Sequence, residues 1–134
     1  MGEKWRKEEL TEKIIRACIE VHKILGPGFL ESIYHNALKI ELAKLKLFFE
    51  SEKEIKVFYQ GVEVGVHKID LLVENEIIVE LKTVEDLNKK YYAQVRSYLA
   101  ALNKEVGLLV NFSGYSVDFR RVELKKENAK GEVF

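Results

Sequence analysis

The amino-acid sequence predicts a single α/β domain built on a mixed β-sheet with flanking helices. Two stretches near the N-terminus repeat apolar residues at helical spacing, and the middle of the chain alternates strand-forming runs with short polar turns. A continuous apolar run at residues 107–112 follows a third helical stretch, which is typical of a buried strand paired in parallel with an earlier one. Together these patterns predict the element order ααβββαββ over residues 1–134.

Composition limits the domain count and the location. The chain has 134 residues, 47% of them hydrophobic, which suits one compact core and is too short for two domains. Twenty-two basic residues balance twenty-two acidic ones, so net charge neither supports nor excludes a nucleic-acid partner. Cys18 is the single cysteine, which excludes an internal disulfide. No signal segment and no run near the roughly 18 apolar residues of a membrane span is present, so we predict a cytoplasmic protein with no membrane segment.

The first helix is predicted over residues 6–25. Its apolar stripe comprises Leu10, Ile14, Ile15, Cys18, Ile19, Val21 and Leu25. Gly26-Pro27-Gly28 ends this helix and opens the next, because glycine suits the left-handed C-terminal position and proline cannot continue a helix.

The second helix is predicted over residues 29–45. Its buried face comprises Leu30, Ile33, Tyr34, Ala37, Leu38, Leu42 and Leu45. Glu31 lies at the edge of that stripe, so its carboxylate should point towards whatever the helix packs against. Glu41 lies nearer the middle of the same stripe, so position on the helix leaves a solvated Glu31 and a functional one both open.

Two consecutive hairpins follow. The first joins residues 55–59 and 62–66 through Gln60-Gly61, and the second spans residues 67–82 around the turn Glu74-Asn75-Glu76. A turn centred on Asn75 places Asp70 opposite Glu80 and puts Lys82 on their face with Leu72 and Ile78. The other face is apolar throughout and should be buried: Ile69, Leu71, Val73, Ile77, Val79 and Leu81.

A third helix and two strands complete the domain. Asn88 is a suitable N-cap for a helix that continues to Leu102. Its core stripe comprises Tyr92, Val95, Leu99 and Leu102, beside a row facing the acids that comprises Tyr91, Gln94, Tyr98 and Ala101. Ser113-Gly114 turns the chain from the buried strand into an outer strand at residues 115–124, and residues 125–134 are expected to form a flexible tail.

The facing acids predict a metal site. Directly opposed carboxylates destabilise a sheet unless a positive charge lies between them, and a divalent cation provides that charge. Mg²⁺ or Mn²⁺ takes one or two protein carboxylates together with waters and phosphate oxygens, which Asp70 and Glu80 match. The alternative is an edge hairpin whose charges are simply solvated. His22, His35 and His67 are scattered in the sequence, so no zinc site is assigned.

Neighbouring residues extend this candidate site. Lys82 is suited to position an attacking water or offset negative charge during phosphodiester hydrolysis. Glu31 is a further metal ligand, directly or through a water, and Gln94 is placed to hold the lysine, the water or the substrate. Weaker candidates for substrate contact are Tyr34, Lys68 and Tyr98.

These residues resemble a known family. Asp70 followed by Glu80-Leu81-Lys82 resembles the core of the PD-(D/E)XK nuclease superfamily, and the run from Leu25 to Tyr34, with Gly28, Glu31 and Tyr34 at its motif positions, resembles its small GxxExxY proteins. The resemblance implies a nuclease-type sheet flanked by helices, with Asp70 and Glu80 as metal ligands and Lys82 as the catalytic lysine. It also implies that Glu31 is the helix acid and Gln94 an accessory residue.

The sequence departs from the pattern at two positions. Ile69 replaces the proline of the superfamily's name, and Tyr91 stands where GxxExxY relatives often have a histidine.

Three functional hypotheses follow. The first is a Mg²⁺-dependent nuclease that acts on DNA in preference to RNA. The second is a catalytically silent module that binds nucleic acid or protein and retains the nuclease fold. The third is a subunit whose substrate groove is completed in a homodimer or with a partner, because one small domain can hardly enclose a duplex.

Overall fold

The chain forms the expected order of helices and strands within residues 2–124, the part that the computed structural model describes. The helices are α1 (Gly2–Leu25), α2 (Glu31–Lys44) and α3 (Lys89–Leu102). The strands are β1 (Phe49–Tyr59), β2 (Val62–Val73), β3 (Ile77–Lys82), β4 (Val106–Asn111) and β5 (Asp118–Glu123). The prediction ααβββαββ is confirmed, whereas the tail predicted at residues 125–134 lies outside the described part.

The strands form one mixed sheet in the order β1-β2-β3-β4-β5. β3 and β4 are parallel, as predicted, and the other neighbours are antiparallel. The parallel pair needs a crossover between its strands, and α3 provides it, with the Asn88 side chain accepting a hydrogen bond from the Lys90 N–H as its N-cap. The β2–β3 turn is centred on Asn75, since Val73 pairs with Ile77.

The sheet is covered on both faces. α1 and α2 pack on one face, over residues that include Leu71, Val79 and Val110. α3 packs on the other face, over residues that include Leu72, Ile78 and Leu109. None of the three helices, within the described residues, is long and apolar enough to cross a membrane.

Some apolar residues that were expected to be buried are exposed. α2 begins at Glu31 and not at residue 29, so Leu30 is its N-cap and is 72% exposed. Ile33 and Leu45 are exposed as well, as is Ile19 on α1. The residues of α2 that are fully buried recur every four positions and are Tyr34, Leu38 and Leu42. The helix therefore contacts the core along a narrower line than its apolar composition indicates.

Strict alternation along β2 fails at Asp70. Ile69 was expected to share a face with Leu71, yet it packs in the α3 cluster with Leu72. The neighbouring strand is irregular at the same level. Ser51 pairs with Leu71 and Lys53 pairs with Ile69, but Glu52 between them is not part of this pairing and has a left-handed φ of 54°. This local distortion changes which face each side chain occupies and places Asp70 at the point of change.

Candidate active site

Asp70 and Glu80 meet where β2 and β3 separate. The backbone pairing of these strands is regular from Val73 and Ile77 to Leu71 and Val79, but it does not continue to the acids. Instead, the Asp70 N–H donates to Glu80 Oε1 at 2.9 Å and the Leu81 N–H donates to Asp70 Oδ2 at 2.7 Å. Each carboxylate thus bonds the backbone of the opposite strand, which fixes both acids on rigid elements.

The surroundings of these carboxylates favour their protonated forms when no cation is bound. Burial, reinforced by the charge of Asp70, raises the pKa of Glu80 to about 8. Burial also raises the pKa of Asp70 above its ordinary value, against the opposing effect of the Leu81 N–H. A bound cation would reverse this preference, because it would stabilise the ionised carboxylates.

Lys82 lies beside the acids at the end of β3. Its Nζ is 3.9 Å from Glu80 Oε2 and donates a hydrogen bond to Gln94 Oε1 at 3.3 Å. The same ammonium lies 5.0 Å from the centre of the Tyr91 ring, within the range of a cation–π contact. Two residues of the row expected to face the acids, Tyr91 and Gln94, thus contact Lys82 and hold it at the site.

Glu31 lies within electrostatic reach of Asp70 and Lys82. It is the first residue of α2, is half-buried, and its pKa is raised by burial and by the charge of Asp70. A compact loop fixes this helix start: Gly28 has a left-handed φ of 107°, and the Tyr34 hydroxyl donates to the Gly26 carbonyl at 2.6 Å while accepting from the Phe29 N–H at 3.2 Å. The G-x-x-E-x-x-Y spacing therefore acts locally to hold Glu31.

The weaker candidates for substrate contact occupy different environments. Tyr34 is fully buried and stacks on Phe112 with 4.6 Å between ring centres, so the structure does not bring it to the acids. Tyr98 is buried between α3 and the sheet. Burial together with the charges of Glu80 and Asp70 raises its pKa to about 12. Lys68 is exposed on β2, two residues before Asp70.

Sequence comparison agrees with this arrangement. Residues 8–122 match the family model described as the PD-(D/E)XK nuclease superfamily. The chain belongs to the PD-(D/E)XK nuclease superfamily. Asp70 and Glu80-Leu81-Lys82 stand in the order of the acidic and lysine positions in the superfamily's name.

A solved structure confirms the fold. The crystal structure of SSO0001 is 20% identical to this chain and superposes with a TM-score of 0.53, covering 73% of this chain and 52% of SSO0001. The chain thus spans about half the length of that protein. No curated protein matches the chain.

Nucleases of the PD-(D/E)XK superfamily typically use divalent metals, and the donor set of this chain fits a hard cation. Within residues 2–124, no group of three or more His, Cys, Asp and Glu side chains is placed to hold a metal ion. The Asp70–Glu80 pair meets the lower requirement of Mg²⁺, which completes its coordination with waters and substrate oxygens. A role for Glu31 through a water stays a prediction.

Sequence reasoning missed residues that support this PD-(D/E)XK site. Asn111, opposite Lys82 in the parallel pair, donates to the Val84 carbonyl and accepts from the Val84 N–H, at 2.8 and 3.1 Å. It therefore secures the chain immediately after Lys82. His35 also lies close enough to Asp70 to lower its pKa, and Glu52 close enough to raise it. No sequence signal marked these residues, because each lies far along the chain from its partner.

Proposed function

We propose that this protein is a nuclease that hydrolyses phosphodiester bonds of DNA, in preference to RNA, with Mg²⁺ or Mn²⁺ as cofactor. The observation that carries the proposal is the pair of reciprocal hydrogen bonds between Asp70, Glu80 and the opposite backbones, with Lys82 beside them. Buried carboxylates of raised pKa next to a lysine are costly for a fold, and they are the arrangement expected where a cation binds a phosphate.

Hydrolysis joins a water oxygen to phosphorus and breaks the bond from phosphorus to a sugar oxygen, which gains a proton as the water loses one. A bound divalent cation would polarise the phosphate and lower the pKa of that water. Asp70 and Glu80 would hold the cation, and Glu31 would orient a water. Lys82 offsets the negative charge that develops on the phosphate, and Gln94 keeps its ammonium in place.

The same proposal includes the subgroup, the cellular location and the assembly of the protein. The loop that holds Glu31 supports membership of the GxxExxY subgroup. A cytoplasmic location suits an enzyme whose single cysteine, Cys18, is buried and unpaired. A homodimer is the expected assembly, because one domain of this size offers little surface around a duplex.

The test is cleavage of defined substrates by purified protein with Mg²⁺ or Mn²⁺. Linear and circular DNA, in single- and double-stranded form, and matched RNA should be compared. We expect DNA cleavage that falls by about 10²–10³-fold in Lys82→Ala, because a charge that stabilises the transition state is lost. Asp70→Ala should abolish cleavage, since the cation loses a ligand.

Lys104→Ala is the matched control, because Lys104 is also half-buried but follows α3 at the opposite end of the sheet from Lys82. Its activity should equal that of the unsubstituted protein. Cleavage that persists in Asp70→Ala and Lys82→Ala, or no cleavage of any substrate, would contradict the proposal. Nucleic-acid binding without cleavage would instead favour the catalytically silent module.

A further inference from the structure

His35 links α2, the helix that carries Glu31, to β1, the strand that pairs with the Asp70 strand. It lies one turn after Glu31 in α2, so both side chains project from the same side of the helix. Its Nε2 is 3.1 Å from Ser51 Oγ in a hydrogen bond, and both residues are half-buried. Ser51 pairs with Leu71, the neighbour of Asp70 in β2.

This contact has no equivalent elsewhere on α2. Within the described residues, the other side-chain hydrogen bonds of α2 are local, namely Tyr34 to the 26–29 loop and Lys44 to Glu41. The His35–Ser51 bond is therefore the direct side-chain hydrogen bond between α2 and the sheet in that part of the chain. Apolar packing alone permits small sliding of a helix on a sheet, whereas a directional hydrogen bond sets its position.

The other two histidines have different roles. His22 bonds the Gly114 carbonyl at 2.8 Å and stacks on Phe112, and His67 bonds the Tyr98 hydroxyl at 3.4 Å. The charge of His35, by contrast, lowers the pKa of Asp70. His35 is thus within electrostatic reach of an acid at the site.

We propose that His35 and Ser51 form a latch that positions Glu31 against the Asp70–Glu80 pair. This inference rests on the proposed function, because the position of Glu31 matters when that residue contacts, through a water, a cation held by Asp70 and Glu80. His35 is a positioning residue here and acts through Glu31. Partners that orient the ligands of a metal typically change its affinity by about 10–100-fold when they are removed.

The test is Mn²⁺ affinity measured by calorimetry, which does not depend on cleavage. We expect His35→Ala and Ser51→Ala each to weaken Mn²⁺ binding by about tenfold. His35→Gln should recover part of the loss, because its amide can reach the place of Nε2. In a Glu31→Gln background, Ser51→Ala should cause no further loss, since the residue through which the latch acts has already been altered.

Asn36→Ala and Ser97→Ala are the controls. Asn36 is the exposed neighbour of His35 in α2, and the Ser97 hydroxyl bonds the Ala93 carbonyl inside α3. Both variants should bind Mn²⁺ like the unsubstituted protein, and thermal unfolding should confirm that every variant folds.

The outcomes separate the two proposals. Unchanged affinity in both His35→Ala and Ser51→Ala, or a full additional loss in the Glu31→Gln background, would overturn the latch. If Mn²⁺ binding depends on Asp70 and Glu80 but not on His35, the nuclease proposal stands and the latch alone is overturned. If the unsubstituted protein binds no Mn²⁺, both are overturned.

Discussion

At the level of single residues, Asp70 and Glu80 each have both a structural and a chemical role. One oxygen of each accepts a backbone N–H from the opposite strand, while Asp70 Oδ1 and Glu80 Oε2 accept no backbone hydrogen bond in the described residues. The hydrogen bonds partly compensate for burial, yet the pKa of both acids remains raised. Charge at the site is thus destabilising until a cation binds.

Stability of the protein in chelator should depend on the ionisation of Glu80. Its pKa is about 8 in the folded chain against an ordinary value of 4.5, so the folded state holds this proton more tightly. The resulting stabilisation is complete below about pH 4.5 and is lost as pH rises through about 8. We therefore compare the unfolding free energy of the unsubstituted protein with that of Glu80→Gln. Between about pH 4.5 and pH 8, the difference between the two should change by a few kcal/mol, which is the order of magnitude that the pKa shift implies.

Urea denaturation at a series of pH values measures this difference. Glu80→Gln should become the more stable of the two in alkaline buffer, and added Mn²⁺ should favour the unsubstituted protein because it binds the ionised carboxylates. Glu41→Gln removes a half-buried glutamate that pairs with Lys44 on α2 and serves as the control. Parallel pH profiles for unsubstituted protein and Glu80→Gln would contradict the expectation.

Secondary-structure elements reach their positions at the site through close packing between layers. α3 packs closely on β4 at Gly107, where a methyl group added to the Cα would lie 2.7 Å from Val95 Cγ1 and 3.4 Å from the Ile78 carbonyl oxygen. Val95 is fully buried and β-branched, so its side chain has little freedom to move aside. The glycine therefore sets the distance between the sheet and the helix that carries Gln94.

Gly107→Ala should destabilise the protein by about 1–3 kcal/mol, the usual cost of inserting a methyl group into a packed core. Displacement of α3 should also weaken the Lys82–Gln94 hydrogen bond and lower any activity. Gly65→Ala is the matched control, because Gly65 is also in a strand and a methyl group there meets nothing within 4 Å. Urea denaturation should separate the two variants, and equal stability would show that α3 adjusts without cost.

The whole molecule has one conspicuous projection, which we call the arm and define as residues 56–66 of the β1–β2 hairpin. β3 pairs with β2 only at residues 71–73, so the arm extends past the site as a two-stranded ribbon. At about 3.3 Å per residue, its tip lies roughly 25 Å beyond Asp70. It exposes six apolar side chains, which are those of Val57, Phe58, Tyr59, Val62, Val64 and Val66.

Apolar surface of this kind favours association, and we expect a second copy of the chain to cover it in the proposed homodimer. Light scattering should give twice the mass of the chain at micromolar concentration. A triple variant, Phe58→Ser, Tyr59→Ser and Val64→Thr, should give the monomer. The same number of substitutions at three exposed apolar residues away from the arm, namely Ile24, Leu30 and Ile40, should leave the dimer intact. A monomeric unsubstituted protein would contradict this expectation.

Much of the architecture follows from local sequence. Periodicity and turn residues determined the order of elements, the Asn88 cap and the Asn75-centred turn, because these depend on residues close together in the chain. The same register brought Asp70, Glu80 and Lys82 to one end of the hairpin. Their catalytic roles stay predictions.

Only the tertiary structure decided how the site is completed. The separation of β2 from β3, the changed face of Ile69 and the contacts of His35 with Ser51 and Asn111 with Val84 join residues distant in sequence. Periodicity describes one element at a time, whereas these features arise where the hydrogen-bonding needs of several elements must be met together. The sequence by itself therefore determined which acids and lysine are available, and packing between layers decided which residues hold them in place.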